Sequence, residues 1–148
     1  MKKRSIIIIV AFAILLLSYY HFRPAVQIDN INIVKIAGEN IKVELALTAE
    51  EQARGLGGRE SLREDEGMLF VFQTPGQYYF WMKDMKFPID IIWLGEDKKV
   101  IYIKKNAGIK NPLETYGPKQ DSKYVLEVVS GFAESHGIKE GDEARFSR

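Results

Sequence analysis

The residues best suited to chemistry in this chain are charged groups set where apolar ones belong. Residues 80–91, FWMKDMKFPIDI, are aromatic and aliphatic except for Lys83, Asp84, Lys86 and Asp90. Asp90 is the only charge in residues 89–94, and period-two alternation sets it with Ile92 and Leu94, opposite Ile89, Ile91 and Trp93. A strand apolar on both faces is buried on both sides. Three readings of Asp90 stay open: solvent exposure at a strand start fixed by Pro88, an ion pair or backbone cap, or acid–base chemistry with a pKa moved by burial. Lys83 is its candidate partner, because a hairpin of residues 78–85 with 89–94 would place both beside the turn at 85–88. Its long side chain can equally lie over Trp81 or Tyr79 while the ammonium reaches water.

A second group is Arg54 and Arg59, which bracket Gly55-Leu56-Gly57-Gly58. A glycine loop could present both guanidiniums to a carboxylate or phosphate. The plainer reading has Arg54 meeting the negative end of a helix dipole and the glycines serving a helix C-cap and turn. GLGG lacks the strand-before, helix-after context of a nucleotide loop. Arg54, Arg59, Trp81, Lys83 and Asp90 are therefore the ligand-binding candidates.

Much other chemistry is excluded. No cysteine exists, so disulfides, thiolate zinc sites and cysteine nucleophiles are out. His21 and His136 form no HExxH or paired spacing, no GxSxG occurs, and Glu64-Asp65-Glu66 lacks the spacing of a calcium loop. Neither a metal nor a cofactor is expected. One carboxylate is thin ground for glycoside hydrolysis, which uses two.

The elements that must position these groups read mainly as strands. Ile41, Val43, Leu45 and Leu47 alternate with more polar positions, and Gly38-Glu39-Asn40 before them predicts a hairpin with residues 31–36. Thr48 and Glu51 have the capping-box spacing, predicting a short helix over 49–54 that stops at Gly55. Further strands are expected at 67–72, 78–85, 89–94, 100–104, 124–129 and 143–146, with a hairpin turn at 95–98 and a short helix in FAESHGI before Gly137. Residues 106–123 read as a long polar loop. The expected architecture is a single β-sandwich or partly open barrel with one or two short helices.

Ahead of that domain, at 28–148, lies a different segment at 1–24. Lys2, Lys3 and Arg4 precede a charge-free run from Ile6 to Leu17, and no Ala-x-Ala pattern follows it. Residues 6–22 would reach about 25 Å as a helix, the short end of a membrane span. A signal anchor with its N-terminus inside is expected, placing the domain outside the cytoplasm; a cleaved signal giving a secreted or periplasmic form is the alternative. Beyond residue 24 the chain has 17 Lys plus Arg against 20 Asp plus Glu. That acidic balance offers no footprint for nucleic acid.

Four ordered stretches, EEQARGLGGRESL, GMLFVF, FWMKDMKFPIDIIWL and YVLEVVSGFAESHGIKEGD, resemble the domain-of-unknown-function family numbered 192 over about residues 31–147. The resemblance implies a compact, mainly β domain of sandwich or jelly-roll-like type, often placed behind a signal or anchor, and it implies no established activity. Gly57 and Asp84-Met85 depart from the family's usual Met and Asn-Thr. Two function classes follow from the residues: a binding module for a small polar ligand, glycan or envelope protein, or an enzyme using Asp90 as general acid or base with Lys83 or Arg54 stabilising negative charge. The absence of a recognisable catalytic set favours the module.

Overall fold

The computed structural model describes residues 30–148, so the expected anchor at 6–22 lies outside the described residues. Within them no helix is long and apolar enough to cross a membrane. The order of elements is β1 (Ile33–Ile36), β2 (Glu39–Ala46), α1 (Ala49–Arg54), β3 (Glu66–Gly76), β4 (Phe80–Trp81), β5 (Ile89–Leu94), β6 (Val100–Ala107), β7 (Thr115–Tyr116), β8 (Ser122–Val129), α2 (Phe132–Ser135) and β9 (Arg145–Ser147). Seven strands form one sheet, in the order β6-β5-β8-β3-β2-β1-β9, and β4 pairs with β7 apart from it. Only β2 and β3 run parallel, because α1 and the loop behind it carry the chain back across the sheet between them.

The sheet curls. Its two outer strands are drawn together where the start of β6 meets the segment before β9: the Val100 amide donates to Asp142 O at 2.8 Å, Gly141 to Val100 O at 2.8 Å, and Ala144 to Lys98 O at 2.9 Å. The result is a half-barrel with two apolar faces. Inside the curl lie Val34, Ile36, Ile41, Leu69, Ile92, Leu94, Leu126 and Val128, with Phe132, Ala133 and Ile138 from the α2 region packed on them. On the outer face Met68, Phe70, Ile91, Trp93 and Val125 are covered by Leu56, Met82 and Tyr116, which come from the loop after α1 and from the β4–β7 arm. Two covered faces explain why all six residues of β5 are buried. Each fully buried Leu or Ile contributes about 1.5–3 kcal/mol, so both cores matter to the fold.

Local signals place the pieces around the site. The β1–β2 hairpin turns through Ala37 and Gly38, both at positive φ as a two-residue turn demands. The α1 capping box forms: Glu51 N–H donates to Thr48 Oγ1 at 3.2 Å, and the Glu51 carboxylate accepts from Thr48 and Leu47 amides at 2.9 Å. Gln52 then fastens the helix to the sheet by donating to the carbonyls of Ala46 and Val71.

The architecture is a partly open barrel rather than a two-sheet sandwich, and one expected strand shrinks. Of residues 78–85 only Phe80 and Trp81 are extended, and they pair with Tyr116 and Thr115 inside the supposed long loop. Residues 82–85 form a turn closed by the Met85 amide on Met82 O, with Asp84 at φ 59. The expected hairpin of 78–85 with 89–94 therefore does not form, because β5 already has β6 and β8 as neighbours. Trp93 Nε1 donates instead to Tyr78 O at 2.8 Å, and Phe80 packs edge-on against Phe70 and Trp93. These contacts hold the arm across the sheet.

Candidate functional site

Asp90 is buried, and backbone amides occupy both of its carboxylate oxygens. One carboxylate oxygen accepts from the Asn106 amide at 2.8 Å and the other from the Ala133 amide at 2.9 Å. Asn106 sits at φ 51, where the β5–β6 register shifts, and Ala133 is in the first turn of α2, whose N-cap Gly131 has no side chain to offer. Asp90 thus supplies the missing cap from across the core. The expected Lys83–Asp90 contact is not made: among the described residues Lys83 makes no ion pair, and its Nζ lies 5.5 Å from the centre of the Trp81 ring. Asp90 lines none of the hollows described below, and this separates it from the other candidates.

The two arginines diverge. Arg59 closes a bidentate pair with Glu44, at 2.6 and 2.7 Å, which holds Glu44 below the usual carboxylate range. Arg54, exposed at the end of α1, stays with the cleft. The glycine loop between them is a docking piece rather than an anion cradle. Gly58 N–H donates to Asp84 O at 2.8 Å, and a Cβ on Gly57 would stand 2.9 Å from Arg54 O. Leu56, 1% exposed, anchors the loop in the outer core.

What these pieces enclose is a cleft floored by a residue outside the candidate set. Glu127, on β8, faces outward between two apolar neighbours, Met68 on β3 and Ile91 on β5, and one strand further on each side the same row continues to Glu44 on β2 and Lys104 on β6. It is 4% exposed, and its Oε2 has no hydrogen-bond partner. Burial pushes its pKa up to about 8, against which the charge of nearby Arg59 pulls weakly. Arg54, Gly55, Phe70, Phe80, Trp81 and Lys83 line the narrow space above it, about 30 Å³. Gly55 makes that space. At φ 50 and ψ −135 it holds a conformation that side chains disfavour, and a Cβ there would stand 3.3 Å from the Phe70 ring and 3.7 Å from Glu127 Oε2.

Outward from this slot, Arg54, Gly57, Gly58, Trp81, Lys83 and Asp84 line a wider hollow of about 460 Å³. Trp81 is 47% exposed there. Arg54, Trp81 and Lys83 are thus brought together, while Arg59 stands behind the cleft and Asp90 on the opposite face of the sheet. A larger open hollow of about 520 Å³ runs along β1 and β2 beside Lys42, Glu44 and Arg148. Lys42 pairs there with Asp65 and Glu44 with Arg59, and no buried unpartnered group faces it. Among the described residues no cluster of His, Asp and Glu could hold a metal.

Glu127 carried a signal in the sequence. In YVLEVV it is the lone charge of an apolar strand, as Asp90 is in IDIIWL.

A family model for DUF192, described as an uncharacterized ACR, matches residues 32–146. Two solved structures are similar. A protein of unknown function from Novosphingobium aromaticivorans DSM 12444 has 35% identity and a TM-score of 0.74, covering 78% of this chain and 84% of that one. A proposed transcription regulator from Sinorhizobium meliloti 1021 has 26% identity and a TM-score of 0.74, covering 78% of this chain and 93% of that one. No curated protein matches.

Proposed function

Because the chain belongs to DUF192, a family without an assigned activity, its function must be read from its own cleft, and we propose that the domain is a binding module that takes a small molecule between α1, the glycine loop and the β4 arm. The observation that carries this is the bare Oε2 of Glu127. A buried polar atom without a partner costs about 1–3 kcal/mol, and such a cost persists where it serves a purpose. Apolar walls with a few convergent polar groups are the usual make-up of a ligand site.

In this reading residues 6–22 tether the module to a membrane with the domain outside the cytoplasm. Support comes from three basic residues before the apolar run and Arg23 alone after it. A second reading is favoured by the burial of the Glu127 carboxyl, which pushes its pKa up to about 8 and suits a general acid. There Glu127 takes the role expected of Asp90, and Lys83 or Arg54 steadies negative charge.

The test is a fragment screen on the full-length chain in detergent micelles, read on its two tryptophan indoles by nuclear magnetic resonance. Ligands in the cleft shift the Trp81 signal and leave Trp93, buried and bonded to Tyr78 O, as an internal reference. A library of neutral, anionic and cationic fragments that never moves Trp81 refutes the module. Turnover of a bound fragment, lost in Glu127→Gln, would favour the enzyme.

A further inference from the structure

We propose that this cleft selects small carboxylates with a planar apolar body and a carbonyl or hydroxyl oxygen, Glu127 donating a hydrogen bond to that oxygen while Arg54 and Lys83 meet the carboxylate. The inference rests on the binding-module reading and adds the ligand's chemical class.

Space, charge and surface chemistry converge on it. The inner slot of about 30 Å³ has room for roughly one water-sized group, so the ligand reaches Glu127 with a single small tip. The outer hollow of about 460 Å³ takes the body, against the exposed face of Trp81. Two cations and one acid, Arg54, Lys83 and Asp84, rim that hollow.

An ammonium group would find aromatic walls and a carboxyl here, a combination that suits cations. It would have to pass Arg54 and Lys83, and Glu127 would have to ionise among Phe70, Phe80 and Leu56 to receive it. Around Glu127, α1 contributes Arg54, the loop behind it Arg59, already held by Glu44, and the arm Lys83; β3 and β5 face it with Met68 and Ile91. The charged groups that line the slot with the carboxyl, Arg54 and Lys83, are both cations, while Glu44 in the same row is engaged by Arg59 and Asp84 lies on the outer rim, so the slot prefers an anion and keeps its own acid as a donor. A neutral carboxyl buried in an apolar slot gives such a hydrogen bond without losing its proton.

The experiment titrates the full-length chain in detergent micelles with three matched probes: 4-acetylbenzoate, 4-isopropylbenzoate, which has the same shape but no acceptor, and 4-acetylbenzylamine, which reverses the charge. Affinities are read on the Trp81 indole. The acetylbenzoate is expected to bind about five-fold more tightly than the isopropyl analogue, the worth of one hydrogen bond, and more tightly than the amine. Its affinity should fall as pH rises through about 8, where Glu127 loses its proton. Glu127→Gln, which keeps an N–H donor, should abolish that fall, and Glu127→Leu should erase the advantage of the carbonyl.

Tighter binding of the amine, or equal binding of the two benzoates, overturns the inference and leaves the module standing. A Trp81 signal that none of the probes moves overturns the inference, and the fragment screen then decides the module separately.

Discussion

Replacing Glu127 by Gln should stabilise the domain, and by an amount that grows with pH. The carboxyl titrates near 4.5 in the unfolded chain and at about 8 in the folded one, because burial penalises its charged form. Below pH 4.5 it is protonated in both states and contributes no pH dependence. Between the two values the unfolded chain releases a proton that the folded chain keeps, so stability falls with rising pH by about 1.4 kcal/mol per unit. By pH 7 the loss attributable to Glu127 is roughly 3 kcal/mol, and above pH 8 it levels off near 5 kcal/mol. Gln has the same shape and cannot ionise, so it escapes this loss.

The assay is urea unfolding of residues 28–148, wild type against Glu127→Gln, at a series of pH values from about 4 to 9. Other titrating groups cancel in the difference between the two curves. Glu44 and Asp65, both held low by basic partners, lose stability on acidification in wild type and mutant alike. The expected result is a small difference near pH 4 that widens in favour of Gln through neutrality. A difference constant across the range would show that Glu127 reaches solvent and would remove the acid from the floor of the cleft. A difference that widens toward acid instead would mean a carboxylate held charged, with a cation upon it.

Three further outcomes follow. Asp90→Asn should cost on the order of 3 kcal/mol in the same unfolding assay, since an amide NH₂ would face one of the two amide N–H groups now bound to the carboxylate; combined with Lys83→Met, the effects should add within a few tenths of a kcal/mol, and a larger coupling would restore the discarded pair. Gly55→Ala should lose about 1–2 kcal/mol from its positive φ and, by filling the slot above Glu127, abolish fragment-induced shifts of the Trp81 indole; an unaltered Trp81 response would show that the slot is not the binding route. A membrane-impermeant amine reagent should label domain lysines in intact cells while the mature protein keeps Met1 to Arg23, and recovery of a soluble form starting after Phe22 would sink the anchor.

Local chemistry in this chain was legible where it depends on neighbours in sequence. Thr48 and Glu51 are three residues apart and complete each other's hydrogen bonds, so the helix they cap runs over the expected residues. The strands at 41–45, 89–94 and 124–129 were readable because alternation or unbroken apolarity is itself the cause of their burial, whereas the expected alternation fails at its end, where Ala46 is buried and Leu47, beyond β2, is exposed. The arm was not. Phe80 and Trp81 form their ladder with Thr115 and Tyr116, over thirty residues away in a stretch rich in Pro, Gly and polar groups, and no periodicity in either segment announces the other.

Asp90 and Glu127 show where pattern ends and geometry begins. Each is a lone carboxyl in a strand buried on both faces, and β5 and β8 are neighbours. Asp90 points into the curl, where a bulge at Asn106 and the uncapped start of α2 both present amide N–H groups, and it is consumed by them. Glu127 points to the outer face, where Gly55 leaves a gap in place of a donor. The same sequence signal thus yields a structural cap on one side of the sheet and an unsatisfied acid on the other. Which of the two a carboxyl becomes is decided by residues 16 and 43 positions from Asp90 and by a helix end 72 positions from Glu127, distances over which a strand pattern carries no information.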